Sequence, residues 1–488
     1  MYEAKYARYL HRTTARFAEE DEIMAGAAQT GGSSYLASGT PLYYSSGRYY
    51  LDDSDTHSLI IGPTGCKKTR LTVVPTVRSI IANRESAVIN DPKLEIYRKT
   101  AEAARKAGAR IHIVNMRDAK HSDGWNPLRM AYRLYDRGKM DEAQQAIADF
   151  AECVIAPELE KTGERYWGDL SGSVIKGVLM MYMQTVAEEH FHLKNIIPLF
   201  YADQFELLKK ISEAMDPISP ATYHLKCLTS LEAEKTKSCI YSTLLSMLAP
   251  FVQNQAVLQM LCTNSFELEE LARRPTLIYL AYPDERISLN FLCACFITQC
   301  YETLVSYAAA RPDDRLPIRV NFILDEVSNM TPIPLFDNRI SEARSKNIRY
   351  FLYAQSYGQL RDKYGDAAEC LVTNCGNWIV FSSKETEFLQ RISDLCGKEI
   401  DDRGNLQPLI SAYELQHLRK KTESAEVLIL RQGKYPYITA LPDYEYQTVY
   451  APCPPASLPD ITTSSKCSML PLKRWISRLN GEMRLFAG

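Results

Sequence analysis

The feature that most constrains the fold is a short apolar run, Ser58-Leu59-Ile60-Ile61, that leads directly into Gly62-Pro63-Thr64-Gly65-Cys66-Lys67-Lys68-Thr69 and then a helical stretch. A strand, a glycine turn and a helix in that order fit the phosphate-binding pattern G-x-x-x-x-G-K-[ST] at every position except the second glycine, where Lys67 stands. In such a loop backbone N–H groups at a helix N-terminus gather phosphate oxygens, the lysine meets the β and γ oxygens, and the hydroxyl holds Mg²⁺. Gly62, Pro63, Thr64, Gly65, Cys66, Lys67, Lys68 and Thr69 are therefore the candidate ATP-binding residues, with Thr69 also a candidate Mg²⁺ ligand. A glycine at the position of Lys67 takes a positive φ without steric cost. A lysine held there costs about 1–2 kcal/mol. The loop is still expected to form, because a second cation beside a triphosphate offsets part of that cost, but efficient hydrolysis is left open.

The strand–helix alternation continues. Ala87–Asn90 and Ile111–Val114 are apolar runs separated by a Lys/Arg/Ala-rich helical stretch, the pattern of βαβ units in a mainly parallel sheet. From about 130 to 260 the chain turns helical, flanked by turn chemistry at Trp125-Asn126-Pro127 and at residues 215–222. Strands then resume at Thr276–Leu280, Arg319–Leu324, Arg349–Ala354, Trp378–Phe381 and Val427–Leu430, the last pairing through Gln432-Gly433-Lys434 with Tyr435–Leu441 as a hairpin. The expected architecture is α/β, a RecA-like P-loop NTPase sheet interrupted by an inserted all-α domain. Its segments are residues 1–40 (polar helix and linker, with Gly31-Gly32-Ser33-Ser34 as the hinge), 41–130 (nucleotide-binding domain, first part), 131–260 (all-α insertion), 261–450 (second part) and 451–488. That last segment is a linker with Pro452, Pro454, Pro455 and Pro459 followed by a basic amphipathic tail around Trp475.

A second chemical signal stands at Asn321-Phe322-Ile323-Leu324-Asp325-Glu326, an apolar strand ending in adjacent carboxylates. Asp325 is placed to bind Mg²⁺ and Glu326 to orient or deprotonate the attacking water. Gln355, at the end of the next strand, is a candidate γ-phosphate sensor. Arg344 and Arg349 lie between these strands, and Arg344 is the candidate finger that reaches a neighbouring subunit's γ-phosphate in a ring.

Composition narrows the class. In a chain of 488 residues, 46% are hydrophobic and 24% charged, which excludes a disordered or fibrous protein. The net charge of −2 means that any nucleic-acid contact rests on a local patch. Thirteen scattered cysteines, an odd number in a long chain, read as free thiols of a reducing compartment. The N-terminus lacks the apolar centre of a signal peptide, and neither Cys239–Val252 nor Ile287–Ala310 is expected to span a membrane. Cys293, Cys295 and Cys300 read as a buried helix rather than a metal site, and His190 with His192 as a surface pair. The basic tail reads either as a membrane or partner contact or as a helix packed on its own domain.

These segments together resemble a type IV secretion coupling protein of the TraG-like conjugative DNA-transfer class. The resemblance rests on Gly62–Thr69, Asn90-Asp91-Pro92-Lys93, Trp125-Asn126-Pro127-Leu128 and Phe322–Glu326. It continues through Tyr353–Leu360, Tyr364-Gly365, Asn374-Cys375 and Ile392–Gly397, covering residues 55–445. It implies a homo-hexameric motor that uses ATP and Mg²⁺ at the cytoplasmic face of the inner membrane to deliver DNA, relaxase or effector-protein substrates into a secretion channel. It also implies that Lys68 and Thr69 serve phosphate and Mg²⁺, Asp325 and Glu326 the metal and water, and Gln355 the sensor role. Two features depart from the class: Lys67 in place of glycine, and no visible transmembrane helix, which suggests a variant brought to the channel by a separate membrane partner. Two other readings stay open, a nucleotide-bound recruitment platform that hardly turns over and a soluble DNA translocase of the FtsK/HerA type.

Overall fold

The structure, a computed structural model, describes residues 15–29, 37–162, 165–201, 204–229, 234–283, 289–401, 403–447, 453–459 and 467–486. Its spine is a nine-stranded sheet. The strands that build it are β4 (Ser58–Ile61), β5 (Ser86–Asn90), β6 (Arg110–Asn115), β7 (Thr276–Ala281), β8 (Val320–Leu324), β9 (Ile348–Ala354), β10 (Asn377–Val380), β13 (Ser424–Arg431) and β14 (Tyr437–Pro442). Across the sheet they lie in the order β14-β13-β10-β4-β9-β8-β5-β7-β6. From β10 to β6 every pairing is parallel, whereas β10–β13 and β13–β14 are antiparallel. The remaining strands are β1 (Ala28–Gln29), β2 (Pro41–Ser45) and β3 (Arg48–Leu51) in a small sheet, and the pair β11 (Lys398–Ile400) and β12 (Leu406–Pro408).

The continuous apolar runs seen in the sequence have a physical reason here, since helices cover both faces of the parallel sheet. Leu59 and Ile61 of β4 face one hydrophobic core and Ile60 the other. On β8, Val320, Phe322 and Leu324 share the first core while Ile323 joins the second. The second core is closed by the helices Val74–Ala82 and Glu95–Lys106, through residues such as Val77, Ile80, Tyr97 and Ala101. The first is closed by the apolar helix Phe291–Ala309 and by the helical module.

That module enters the sheet between β6 and β7, running from the helix Arg129–Asp136 to the helix Glu270–Arg273. Its long helices Met140–Thr162 and Arg165–Thr185 approach closely at Gly172, where a Cβ would lie 2.2 Å from Ile155 Cδ1. Trp125-Asn126-Pro127 is the joint between the module and the sheet domain. Trp125 Nε1 donates to Gln299 Oε1 at 3.2 Å, Gln299 Nε2 donates to the Pro127 carbonyl at 2.6 Å, and Asn126 Nδ2 donates to the Phe191 carbonyl at 2.9 Å.

The N-terminal segment differs from expectation, and the tail takes one of its two expected forms. Within residues 15–29 the helix is short, Glu20–Ala25, and the strand β1 follows it before the expected hinge; the hinge at Gly31–Ser34 lies outside the described residues, as does Pro452. The tail packs on its own chain. Trp475, on the helix Leu472–Phe486, is buried against Tyr182, and its Nε1 donates to Thr185 Oγ1 at 3.0 Å. His192 is buried and not a surface residue. Its Nε2 and His190 Nδ1 lie 3.0 and 3.2 Å from the Ser468 carbonyl, where Asn195 Nδ2 also donates at 3.1 Å, so the pair straps the tail to the module.

Candidate functional site

The loop Gly62–Lys68 leaves the C-terminal end of β4 and opens the helical segment that begins at Thr69. Its start is fixed by a ladder bond, Gly62 N–H to the Ala354 carbonyl at 3.2 Å, which ties it to β9. Only glycine fits there, because a Cβ would lie 2.6 Å from Phe381 Cβ and 2.8 Å from Cys66 Sγ. Gly65 takes φ +80° at the exposed apex, and Cys66 N–H donates to the Pro63 carbonyl at 3.2 Å. The first turn, Thr69–Val73, is a wide π-turn, and the helix continues from Val74 to Ala82. The result is a ring of main-chain amides at a positive helix end, the arrangement that receives phosphate.

Lys67 does adopt the left-handed conformation, with φ +74°. Its side chain turns outward, where Nζ donates to the Thr422 carbonyl and lies 3.5 Å from Asp443 Oδ2. Lys68 is buried beneath the loop and its Nζ donates to the Gly62 carbonyl. Burial pushes the Cys66 thiol upward, with Lys68 opposing.

The sheet order brings the other candidates alongside. β9 lies between β4 and β8, so the ends of three neighbouring strands deliver Gly62, Gln355 and Asp325-Glu326 to one crevice. Gln355 Nε2 donates to Glu326 Oε2 at 2.7 Å, and Asn329 Nδ2 donates to the same oxygen at 3.1 Å. Glu326 itself has φ +56°, a strained placement that turns the chain out of β8 at the carboxylate. Asp325 sits deeper. Withdrawal from water, reinforced by Glu326, pushes its carboxyl up to about 7 although Lys68 opposes the shift. A carboxyl that resists ionisation when alone is suited to a cation. Beside it, Asn90 Nδ2 donates to the Asp325 carbonyl at 2.5 Å, while the buried Asn90 Oδ1 has no partner among the described residues. The amide ring, Lys68, the Thr69 hydroxyl and this carboxylate set fit a nucleotide with Mg²⁺.

Two arginines part company. Arg344 is exposed on the turn before β9, at the sheet edge opposite the loop, so one chain does not bring it to its own crevice. Arg349 is unsuited to a finger role. It is buried and donates to the carbonyls of Ser38 and Ser54 at 3.0 and 3.1 Å and to Asn321 Oδ1 at 2.9 Å, which makes it a brace between β9 and the N-terminal segment.

Residues that sequence reasoning missed complete the surroundings. The buried Asp91 accepts the N–H groups of Glu95 and Tyr97 at 2.9 and 2.7 Å and so caps the helix Glu95–Lys106, while burial raises its own carboxyl to about 7. Glu385 accepts the N–H groups of Tyr357 and Gly358 at 3.0 and 2.6 Å, fixing the helix that follows Gln355. Lys420 and Asp443 reach the loop from the β13–β14 side. Asn90-Asp91 was visible as a motif but carried no assigned role; nothing local marks Lys420 or Asp443. Cys293, Cys295 and Cys300 are buried with their thiols pushed up, and among the described residues no group of three or more His, Cys, Asp or Glu side chains is placed to hold a metal by itself.

The family of type IV secretory system conjugative DNA transfer proteins matches residues 12–401, most of the chain. The chain belongs to this family. It is 22% identical over 359 residues to the type IV secretion system-coupling protein VirD4 of Bartonella quintana, an alignment covering 72% of this chain and 54% of the relative. It is 21% identical to the VirD4 of Bartonella henselae over the same shares. The chain thus spans about half the length of the curated relatives it matches. Among solved structures, the plasmid coupling protein TrwB in complex with the ATP analogue ADPNP has the same fold, with a TM-score of 0.62 at 13% identity, over 88% of this chain and 93% of that one. TrwB in complex with ADP and Mg²⁺ gives 0.63 at 12% identity over the same shares. Among the described residues, no helix is long and apolar enough to cross a membrane.

Proposed function

We propose that this chain is an ATP-dependent coupling protein that recruits DNA or DNA–protein substrates to a type IV secretion channel and drives their transfer. The observation that carries the reading is the convergence of the loop Gly62–Thr69, Gln355 and Asp325-Glu326 at the ends of three adjacent strands. TrwB, similar in fold, was solved with ADPNP and with ADP and Mg²⁺, which supports a nucleotide at this place.

In this reading the loop amides and Lys68 hold the β and γ phosphates, Lys68 giving up the Gly62 carbonyl to do so. Thr69 and Asp325 hold Mg²⁺, which supplies charge neutralisation at the transferring phosphoryl group. Glu326 orients the attacking water and withdraws its proton, and Gln355, hydrogen-bonded to Glu326 in this structure, links that carboxylate to the γ position. Arg344 serves only in trans, from the exposed edge of a neighbouring copy, which is the reason to propose a homo-hexameric ring.

The test is ATP turnover by the purified chain with and without DNA, beside Lys68→Ala and Glu326→Gln. DNA-stimulated hydrolysis lost in both variants is expected; a chain that neither binds nor hydrolyses nucleotide overturns the proposal. One observation favours a second reading, a recruitment platform with little turnover, because Lys67 keeps its left-handed φ and is tethered outside the crevice. A large gain of turnover in Lys67→Gly supports the platform, and full turnover in the native chain removes it.

A further inference from the structure

The loop apex is thinly supported from within. Pro63, Thr64 and Gly65 are exposed, nothing lies within 4 Å of where a Gly65 Cβ would stand, and the position that would relax the backbone as glycine is Lys67. Support comes from outside the loop. The turn 419–426 is held rigidly, with Lys421 N–H donating to the Ser424 carbonyl at 2.8 Å and Glu426 N–H to the Arg419 carbonyl at 2.8 Å. It is joined to the end of β14 by Asp443 N–H donating to the Glu423 carbonyl at 2.7 Å.

From this turn two reciprocal contacts cross to the loop. Lys420 Nζ donates to the Gly65 carbonyl at 2.5 Å, and Lys67 Nζ donates to the Thr422 carbonyl. A third tie follows at Asp443, whose buried carboxylate is 2.6 Å from Arg70 Nε and 3.5 Å from Lys67 Nζ; Arg70 also pairs with Glu445. The Gly65 carbonyl held by Lys420 fixes the Gly65–Cys66 peptide, whose N–H closes the loop on the Pro63 carbonyl, so a cation there favours the closed loop at the helix N-terminus that receives phosphate.

We propose that Lys420 is a positioning residue for nucleotide binding: with the reciprocal Lys67–Thr422 contact it holds the loop in its phosphate-receiving shape, a task that glycine at position 67 would perform alone. The proposal deepens the nucleotide-site reading and rests on it. Lys420 acts through the Gly65 backbone and takes no part in the chemistry, so its loss raises the dissociation constant and KM and leaves kcat unchanged.

The test is titration of fluorescent MgATP and MgADP analogues, with melting curves alongside, into the native chain, Lys420→Met, Lys420→Arg, Lys67→Gly and Lys67→Gly/Lys420→Met. Loss of one charge-assisted hydrogen bond predicts binding weakened about fivefold in Lys420→Met, with Lys420→Arg near native. In the Lys67→Gly background the same Lys420→Met change has little effect. Undiminished binding by Lys420→Met overturns the proposal, as does an equal loss in both backgrounds or a loss matched by a fall in melting temperature that Lys420→Arg does not rescue. A native chain that binds neither nucleotide overturns the functional reading itself, and is told apart because every variant is then equally silent.

Discussion

Replacing Lys67 by glycine and by alanine separates backbone strain from side-chain contact. Lys67 has φ +74°, and its ammonium contacts the Thr422 carbonyl and Asp443. Both substitutions delete those contacts, which at a half-buried site contribute about 1–2 kcal/mol. Alanine keeps the left-handed penalty of about 1–2 kcal/mol, whereas glycine removes it and gives back up to about 1 kcal/mol through the freer unfolded chain. Lys67→Gly is therefore expected within about 1 kcal/mol of native, and Lys67→Ala about 1 kcal/mol less stable than Lys67→Gly. Urea unfolding followed by circular dichroism, at matched slopes, reads the difference. Equal stability of the two variants, or alanine the more stable, would refute the claim that a strained backbone is built into the phosphate loop.

Three further outcomes follow from other parts of the structure. Burial holds His57 near 4, below its ordinary 6.5, with Nε2 2.9 Å from the Ile340 carbonyl and the Tyr350 N–H donating to Nδ1 at 3.0 Å. The unfolded chain thus takes up this proton first as pH falls, stability present above pH 6.5 is lost on the way to pH 4, and His57→Gln should lose about 1.4 kcal/mol less than native between pH 7.5 and 5.5 in denaturant titrations. Trp475→Ala removes a buried aromatic worth about 3–5 kcal/mol, enough to release the tail helix, so limited proteolysis should cut within 467–486 while nucleotide affinity stays unchanged. Glu326→Gln and Gln355→Ala should lower kcat by about 100-fold or more with nucleotide dissociation constants near native, read in single-turnover assays.

The sheet was legible because strands buried on both faces read as unbroken apolar runs, as at Ser58–Ile61 and Arg349–Ala354, and because a glycine turn joins Val427–Leu430 to its antiparallel partner. The order of motifs along the chain brings Lys68, Asp325, Glu326 and Gln355 to neighbouring strand ends, since strand ends in a parallel sheet share one edge. The hairpin β2–β3 escaped notice because its tyrosines do not alternate cleanly with polar residues, and its turn signal, Ser46-Gly47 with φ +50° and +75°, stands in a serine-rich stretch. Arg349 stands close to Arg344 in sequence, yet carbonyls of Ser38 and Ser54 from a distant segment enclose it. Lys420 and Asp443 lie far along the chain from the loop they touch, and only the folding of the antiparallel strands β13 and β14 beside β10 and β4 brings them there.

The central claim is that a ring of amides closed by Lys68 binds a nucleoside triphosphate despite Lys67. Calorimetric titration of the native chain with MgATP tests it most directly, beside Lys68→Ala. The expected result is saturable heat in the native chain and none in the variant; a flat titration of the native chain, or equal binding by both, contradicts it.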